Sequence, residues 1–330
     1  MKNRCKKITM ADVSKLAGVT KTTVSRYFNG GYVKNETREK IKKIIEEYNY
    51  EPNIFARLKA KQTYTIGVIS PSLRSFISGI FLTGVEKTLR ENNYIPIIMN
   101  TNHNTELEIQ YIEKLIRLKV DGIILSATEI TEEHKNIIKN INIPIVFFGQ
   151  EVKNAISIAN NDYNAGKEVG EYIGYKNHKN VGIISVSEKD YAIGVVRRNG
   201  ILDGLKKYNN IQNIYIEESN FSMDKSEIAI KKLLEKNIDA VICSTDRQAF
   251  AVYKVLENRN IKIAKDISVV SFGNYDVSEI LQPKLSSVEF NTENAGIYAA
   301  NTLIKLINKE EVQSIYYTDY TFIKRESVII

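Results

Sequence analysis

Seven apolar runs constrain this chain more than anything else in it: Thr65–Ser70, Ile95–Met99, Gly122–Ser126, Ile143–Phe148, Val181–Val186, Ala240–Ser244 and Ile267–Phe272. Helical stretches of roughly a dozen residues lie between them. A continuous apolar run bounded by amphipathic helices marks a strand covered on both faces, hence parallel pairing. The expected fold class is α/β, doubly wound. So many strands overfill one sheet. The body therefore divides into two similar halves, about 65–160 and about 161–289, each with a ligand crevice at the carboxyl ends of its strands. The tail from Ser286 to Ile330 reads as strand, helix and strand and crosses between the halves. That is the layout of a hinged, two-lobed ligand-binding module.

Ahead of Tyr64 the periodicity is helical. Val13, Leu16 and Ala17 make one apolar stripe, Val24 and Phe28 a second, and Ala17-Gly18-Val19 joins them. Gly18 suits a sharp turn because glycine tolerates φ > 0, and the Thr20 hydroxyl is positioned to cap the next helix. Lys34 to Tyr48 reads as a third helix, capped by Asn35. Ile41, Ile44, Ile45 and Tyr48 would pack it on the first two, and Pro52 would end the unit. Asn53 to Lys61 is a short linker with helical potential. The second helix of this helix-turn-helix is small and polar on its outer face, which offers Thr20, Lys21, Thr22, Ser25, Arg26 and Asn29. Such side chains reach base edges and phosphates without steric bulk.

Charge points to the same segment. Residues 1–62 hold 15 Lys/Arg against 6 Asp/Glu, and the other 268 residues hold 31 against 33, so the whole formal excess of +7 comes from the N-terminal fifth. A basic headpiece on a near-neutral body implies a targeted polyanion-binding module.

Other classes are disfavoured. Cys5 and Cys243 lie far apart, which fits a reducing cytoplasm without a structural disulfide. His103, His134 and His178 have no Cys/His neighbours at ligand spacing, so no metal site is expected. The charged start, Met1 to Lys7, lacks an apolar segment after it, and no run of about eighteen apolar residues occurs, so neither a signal peptide nor a membrane partner is expected. Ile69-Ser70-Pro71-Ser72-Leu73 replaces a dinucleotide fingerprint after the first strand. No phosphate loop, nucleophile elbow or carboxylate pair stands out, so neither an enzyme nor a cofactor is expected.

The crevice candidates come directly after the strands: Ser70, Ser72, Ser75 and Phe76, then Gln150, Tyr191 and Arg197, Thr245 and Asp246, and Gly273-Asn274-Tyr275. Arg, Asp, Asn and Gln with a few aromatics suit a polyol, whose hydroxyls need donors and acceptors and whose rings stack on aromatic faces. Plainer readings stand beside these. Asp246 could only cap the helix that begins there, Arg197 could be a solvated helix residue, and Phe221 could be core.

Over nearly its whole length the chain resembles the LacI/GalR family of transcription repressors, most closely the sucrose-operon repressors within it. The resemblance rests on Asp12-Val13-Ser14 through Val24-Ser25-Arg26 with Asn29, on Thr37-Arg38-Glu39-Lys40-Ile41, and on Tyr50-Glu51-Pro52-Asn53. It continues in Asp266 to Phe272, Pro283 to Val288 and Arg197-Arg198-Asn199-Gly200, whose first Arg corresponds to an effector contact of the family. Phe148-Gly149-Gln150 and Phe272-Gly273-Asn274-Tyr275 carry the likeness to the sucrose regulators. The resemblance implies a helix-turn-helix headpiece (1–52), a hinge (53–63) and a periplasmic-binding-protein-like core of two doubly wound sheets (64–330). The N-lobe would hold 64–160 and 290–321, and the C-lobe 161–289 and 322–330. It further implies a homodimer on a pseudo-palindromic double-stranded operator. Lys21 and Thr22 would read base edges with Arg26 and Asn29, while Thr9, Thr20, Ser25 and Tyr27 would touch phosphates. Asn53, Ala56 and Leu58 would serve the hinge, with Leu58 wedged into the minor groove. Here Leu58 comes directly after Ala56-Arg57, one residue earlier than the family pattern. A small sugar, sucrose or a related disaccharide, would meet Ser75, Phe76, Gln150, Tyr191, Arg197, Phe221, Asp246 and Asn274. No leucine heptads come after the last expected strand, Thr321 to Ile330, so a dimer without a tetramerising tail is expected. The rival classes are a sugar-binding protein of a transport or sensing system and a sugar-processing enzyme with an attached DNA-binding domain.

Overall fold

The computed structural model describes residues 8–28, 31–50 and 62–329. The chain falls into two compact units, up to Thr63 and from Tyr64 onward.

The first unit is built of α1 (Met10–Leu16), α2 (Lys21–Phe28) and α3 (Asn35–Tyr48). Thr9 and Asp12 close a capping box on α1. Gly18 makes the turn at φ +66°, and the Thr23 N–H donates to the Thr20 hydroxyl at 3.2 Å. Val13, Val24, Val33, Ile41 and Tyr50 form the core. Three expectations are corrected. Leu16 is 52% exposed. At about 100° per residue it lies about 60° from Val13 while Ala17 lies about 40° away on the other side, and Ala17 takes the inward place. Tyr48 is also exposed. Asn49 adopts a left-handed conformation (φ 44°, ψ 49°) that closes α3, so Tyr50 turns back into the core instead. Its N–H donates to the Ile45 carbonyl at 3.0 Å, and its ring sits 5.8 Å from that of Phe28. Asn35 is the first helical residue, with Lys34 at the cap position and no side-chain cap bond. Asn29, Pro52 and the linker Asn53 to Lys61, with Ala56 and Leu58, lie outside the described residues.

The second unit holds two six-stranded sheets. The first contains β1 (Thr65–Ser70), β2 (Ile95–Asn100), β3 (Gly122–Ser126), β4 (Ile145–Phe148), β5 (Ile156–Asn160) and β11 (Ile315–Thr318), in the order β11-β5-β4-β3-β1-β2. The second contains β6 (Asn180–Val186), β7 (Asn213–Ser219), β8 (Ala240–Cys243), β9 (Ser268–Phe272), β10 (Ser286–Phe290) and β12 (Tyr320–Ile323), in the order β12-β10-β9-β8-β6-β7. Only β12 runs antiparallel to its neighbour, β10. Every apolar run becomes a strand. The fourth begins two residues late, at Ile145, because Pro144 has no N–H for a ladder. β5, β7 and β11 are additions to the sequence reading, and the last strand ends at Ile323 rather than Ile330. Beyond it the chain is pinned to β9: the Val269 N–H donates to the Ser327 carbonyl at 2.8 Å and the Ile329 N–H to the Ser268 hydroxyl at 2.9 Å.

Helices cover both faces of each sheet. On the first sheet, α4 (Phe76–Glu91) and α12 (Thr292–Ile307) approach so closely that a Cβ on Gly84 would come within 2.2 Å of the Glu293 carbonyl oxygen. Their buried Phe81, Val85, Leu89, Ala295, Ala299 and Leu303 pack over Ile66, Val68 and Ile124. α5 (Thr105–Arg117) and α6 (Glu132–Asn140) cover the opposite face. On the second sheet, α7 (Asp162–Tyr175) and α8 (Arg198–Leu205) take one face and α9 (Met223–Leu234) and α10 (Asp246–Asn258) the other. A π-helical turn, Tyr191–Arg197, runs straight into α8, and the short α11 (Val277–Ile280) comes after β9.

The chain passes between the two sheets' layers three times, each time through a single residue: Asn161 from β5 to α7, Asn291 from β10 to α12, and Asp319 from β11 to β12. The Asn291 N–H donates to the Asp319 carbonyl at 3.0 Å, and the Thr318 hydroxyl to Asn160 Oδ1 at 2.9 Å. The three crossings are short, and hydrogen bonds link the second to the third and the third to the end of β5.

Candidate functional sites

In the first unit, Val24 is fully buried and fixes which side of α2 faces outward. Lys21, Thr22, Ser25 and Arg26 then share an arc of about 140°, and Lys21, Thr22 and Arg26 are exposed. Thr20 is exposed, but its hydroxyl already caps α2. Thr9 likewise spends its hydroxyl and its N–H on Asp12, at 2.7 and 2.8 Å. Tyr27 is half-buried edge-on to Phe28, with the Arg38 guanidinium 5.6 Å from its ring. Three free polar side chains on one helix face, anchored by one buried valine, can address a groove.

In the second unit the carboxyl ends of β6, β8 and β9 hold Arg197. Its guanidinium is buried, 4% exposed. Nε and Nη2 donate to Asp162 Oδ1 at 2.7 and 2.5 Å, and Nη1 donates to the Ser244 carbonyl at 2.7 Å. Phe272 and Phe290 lie against it, 4.7 and 5.2 Å from the guanidinium carbon. This is no solvated helix residue. Burial pushes the Asp162 carboxyl above its ordinary range and Arg197 opposes the shift. Asp190, at the head of the π-helical turn, accepts from the Ile193 N–H at 3.2 Å. Burial pushes it up to about 6, against the pull of that N–H and of Arg197.

Phe76 opens α4, and Ser75 caps it by accepting from the Ser78 N–H at 3.4 Å. Across the crevice, Tyr275 brings its ring within 4.8 Å of Phe76. Phe221, after β7, stacks on His103, after β2, at 5.6 Å and 18°. Lys189 meets Glu129 at 3.7 Å. Each of these pairs joins loops from opposite sheets. The hydroxyls of Ser70 and Thr101, at the carboxyl ends of β1 and β2, are buried with no hydrogen-bond partner. Tyr191, 58% exposed, borders a cavity of about 350 Å³ with Asn160, Asn161, Asp162, Tyr163 and Tyr317.

Three expected crevice residues are occupied elsewhere. Asp246 is fully buried. It accepts from the hydroxyls of Ser271, Ser287 and Ser278 at 2.5, 2.5 and 2.7 Å and from the Tyr275 N–H at 2.7 Å. Thr245, not Asp246, caps α10. Asn274 Oδ1 accepts from the Arg325 guanidinium at 2.8 Å. Gln150 is buried, and its amide donates to the carbonyls of Thr128 and Ala127. The bonds these residues make hold loops within their own lobe. Tyr275 is among the crevice candidates, and His103, Asp162 and Asn160 are the additions. Asn160 and Asp162 sit at the end of β5, a strand the apolar pattern does not reveal. His103 stands just past the second apolar run, as Ser72 and Ser75 stand past the first, and that position is the signal that marks it.

Comparison with known proteins fits both units. Residues 9–53 match the family described as bacterial regulatory proteins, lacI family. Residues 63–326 match the periplasmic binding proteins and sugar binding domain of the LacI family. The sucrose operon repressor of Staphylococcus xylosus is 35% identical over 305 residues, covering 92% of this chain and 95% of that protein. Catabolite control protein A of Staphylococcus epidermidis is 32% identical over 93% of this chain and 94% of that protein. Among solved structures, the lac repressor dimer bound to operator and an anti-inducer superposes with a TM-score of 0.85 over 98% of this chain and all of that one, at 21% identity. A LacI-type regulator from Alkaliphilus metalliredigens complexed with D-xylulofuranose gives 0.71 over 81% of this chain and all of that one, at 26% identity. With its headpiece and its core both matched, the chain belongs to the LacI family of bacterial regulatory proteins.

Proposed function

We propose that this protein is a sequence-specific repressor of a carbohydrate-utilisation operon, released from its operator by a sugar, with sucrose or a related disaccharide favoured. The observation that carries the reading is the presence in one chain of two parts. One is a basic unit with Lys21, Thr22 and Arg26 free on one helix face. The other is a two-lobed core in which a buried Arg197–Asp162 pair sits against the rings of Phe272 and Phe290 at the carboxyl ends of one sheet, with Phe76–Tyr275 and His103–Phe221 bridging to the other. Similarity to a sucrose operon repressor supports the choice of sugar.

In this reading residues 1–52 are the headpiece, 53–63 the hinge and 64–330 the core, and two copies meet a pseudo-palindromic operator by matching two-fold symmetry. Lys21 and Thr22 read base edges with Arg26 and Asn29. Ser25, Tyr27 and the caps Thr9 and Thr20 line the phosphates, and Asn53, Ala56 and Leu58 contact the DNA. The sugar acts through its differential affinity for two arrangements of the lobes. Calorimetry with sucrose, trehalose and glucose tests the effector. Saturable heat with sucrose is expected, and no heat with any of the three overturns the sugar assignment. Similarity to catabolite control protein A favours a second reading, a broader catabolite regulator. Operator affinity that is unmoved by bound sugar would favour it.

A further inference from the structure

We infer that His103 is an internal competitor of the effector, its imidazole occupying the Phe221 face on which a sugar ring would stack. The inference rests on the sugar-responsive reading above and names a residue that sets its threshold.

Several observations converge on this loop. His103 and Phe221 come from opposite sheets, one after β2 and the other after β7, yet their rings are 18° from parallel with centroids 5.6 Å apart. His103 is held there at a cost. Asn102 and His103 are successive left-handed residues, φ 52° and 59°, a conformation that L side chains adopt reluctantly. The loop keeps that shape through its own bonds. The His103 N–H donates to the Pro71 carbonyl and the Asn104 N–H to the Thr101 carbonyl, both at 3.0 Å, and His103 Nδ1 lies 3.4 Å from the Thr128 hydroxyl. The same Thr128 accepts at its carbonyl from Gln150. The loop is thus wired to β4 while its ring reaches across to the other lobe.

Phe221 is the aromatic ring that the crevice offers from the β7 side, and one face of it is already covered. A sugar ring that stacks there must first displace the imidazole. Two other contacts hold the same lip, the Phe76–Tyr275 rings and the Lys189–Glu129 ion pair. The ion pair is weak in comparison, since Lys189 is 74% exposed and exposed pairs contribute little. The His103–Phe221 stack exists only without effector, so its free energy is subtracted from the effector's apparent affinity. An aromatic pair of this kind corresponds to about a two- to tenfold change.

The test uses the full-length protein. Two variants remove the ring while respecting the left-handed backbone: His103→Gly and His103→Asn. Sucrose affinity by calorimetry is expected to rise about two- to tenfold in both, and the gain is expected to vanish in a Phe221→Ala background. Unchanged affinity means that the sugar uses another surface and overturns the competition. Lost affinity means that His103 binds the sugar directly and overturns it equally. A second measurement needs no sugar. The chain has three histidines, so the His103 Hε1 proton is readily assigned by NMR. It is expected upfield of the other two and to return to the ordinary position in Phe221→Ala. An ordinary position in the free protein overturns the stack, and the competition with it. If sucrose and trehalose bind neither the parent nor the variants, the sugar reading fails, while the resonance alone decides whether the stack exists.

Discussion

Removing the guanidinium of Arg197 strands Asp162, a carboxylate 4% exposed whose charge Arg197 balances with two hydrogen bonds. Breaking a buried pair from one side typically costs about 3–5 kcal/mol. Arg197→Ala is therefore expected to lower the urea-unfolding free energy of the core by about that amount and to abolish sugar release of the operator. An unaltered unfolding midpoint would show that the pair is not formed. Asp190 gives a pH signature. Its folded pKa of about 6 lies above the ordinary 3.8, so the folded state binds the proton more tightly. Stability from this group is full below pH about 4 and falls as pH rises through about 6, by about 3 kcal/mol in all. Asp190→Asn keeps an acceptor for the Ile193 N–H and is expected to flatten the decline in urea stability between those limits. The same decline in the variant would assign it to another group. At this scale Arg197 and Phe76 are legible as crevice residues because they come just after strands. The pairing of Asp246 with Ser287 and of Asn274 with Arg325 is not legible, since these partners lie 41 and 51 residues away in the chain.

At the scale of elements, α2 works because its cap, its buried Val24 and its free face are set by separate residues. Lys21→Ala is expected to cost about 1–3 kcal/mol on the operator and to relax preference at one base step. An equal loss on random DNA would reduce Lys21 to a phosphate contact. Gly18→Ala meets no atom within 4 Å, yet forces a β-carbon onto φ +66°. The cost is strain alone, about 1–2 kcal/mol of headpiece stability, read from its thermal unfolding. The helices and buried strands are legible because burial on both faces leaves an unbroken apolar run. β7 is not, because this edge strand, Asn213–Ser219, has only the three-residue apolar run Ile214-Tyr215-Ile216 before Glu217 and Glu218. β5 is not, because its five residues, Ile156–Asn160, interrupt their apolar character at Ser157 and Asn160. Leu16 and Tyr48 fall on apolar stripes by spacing yet stay outside the core. Spacing gives the stripe, but the left-handed Asn49 decides which tyrosine the unit buries.

For the molecule as a whole, three one-residue crossings at Asn161, Asn291 and Asp319 tie the layers of one sheet to those of the other. Their opposed loops meet at Phe76–Tyr275 and His103–Phe221. In the proposed reading, an effector that enters the crevice acts on these contacts between lobes. The alternation of strand and helix makes this two-sheet architecture readable from the chain. The loop contacts that close the crevice are not readable, because they join residues about 120 to 200 positions apart that no local period relates. Sugar-controlled release is tested most directly by fluorescence anisotropy of a labelled pseudo-palindromic duplex, taken from the DNA upstream of the regulated operon, with sucrose titrated into the preformed complex. The expected result is tight binding to that duplex over random DNA and saturable release by sucrose, with release lost in Arg197→Ala. Equal affinity for operator and random duplexes, or an operator complex indifferent to every sugar that binds the core, would contradict it.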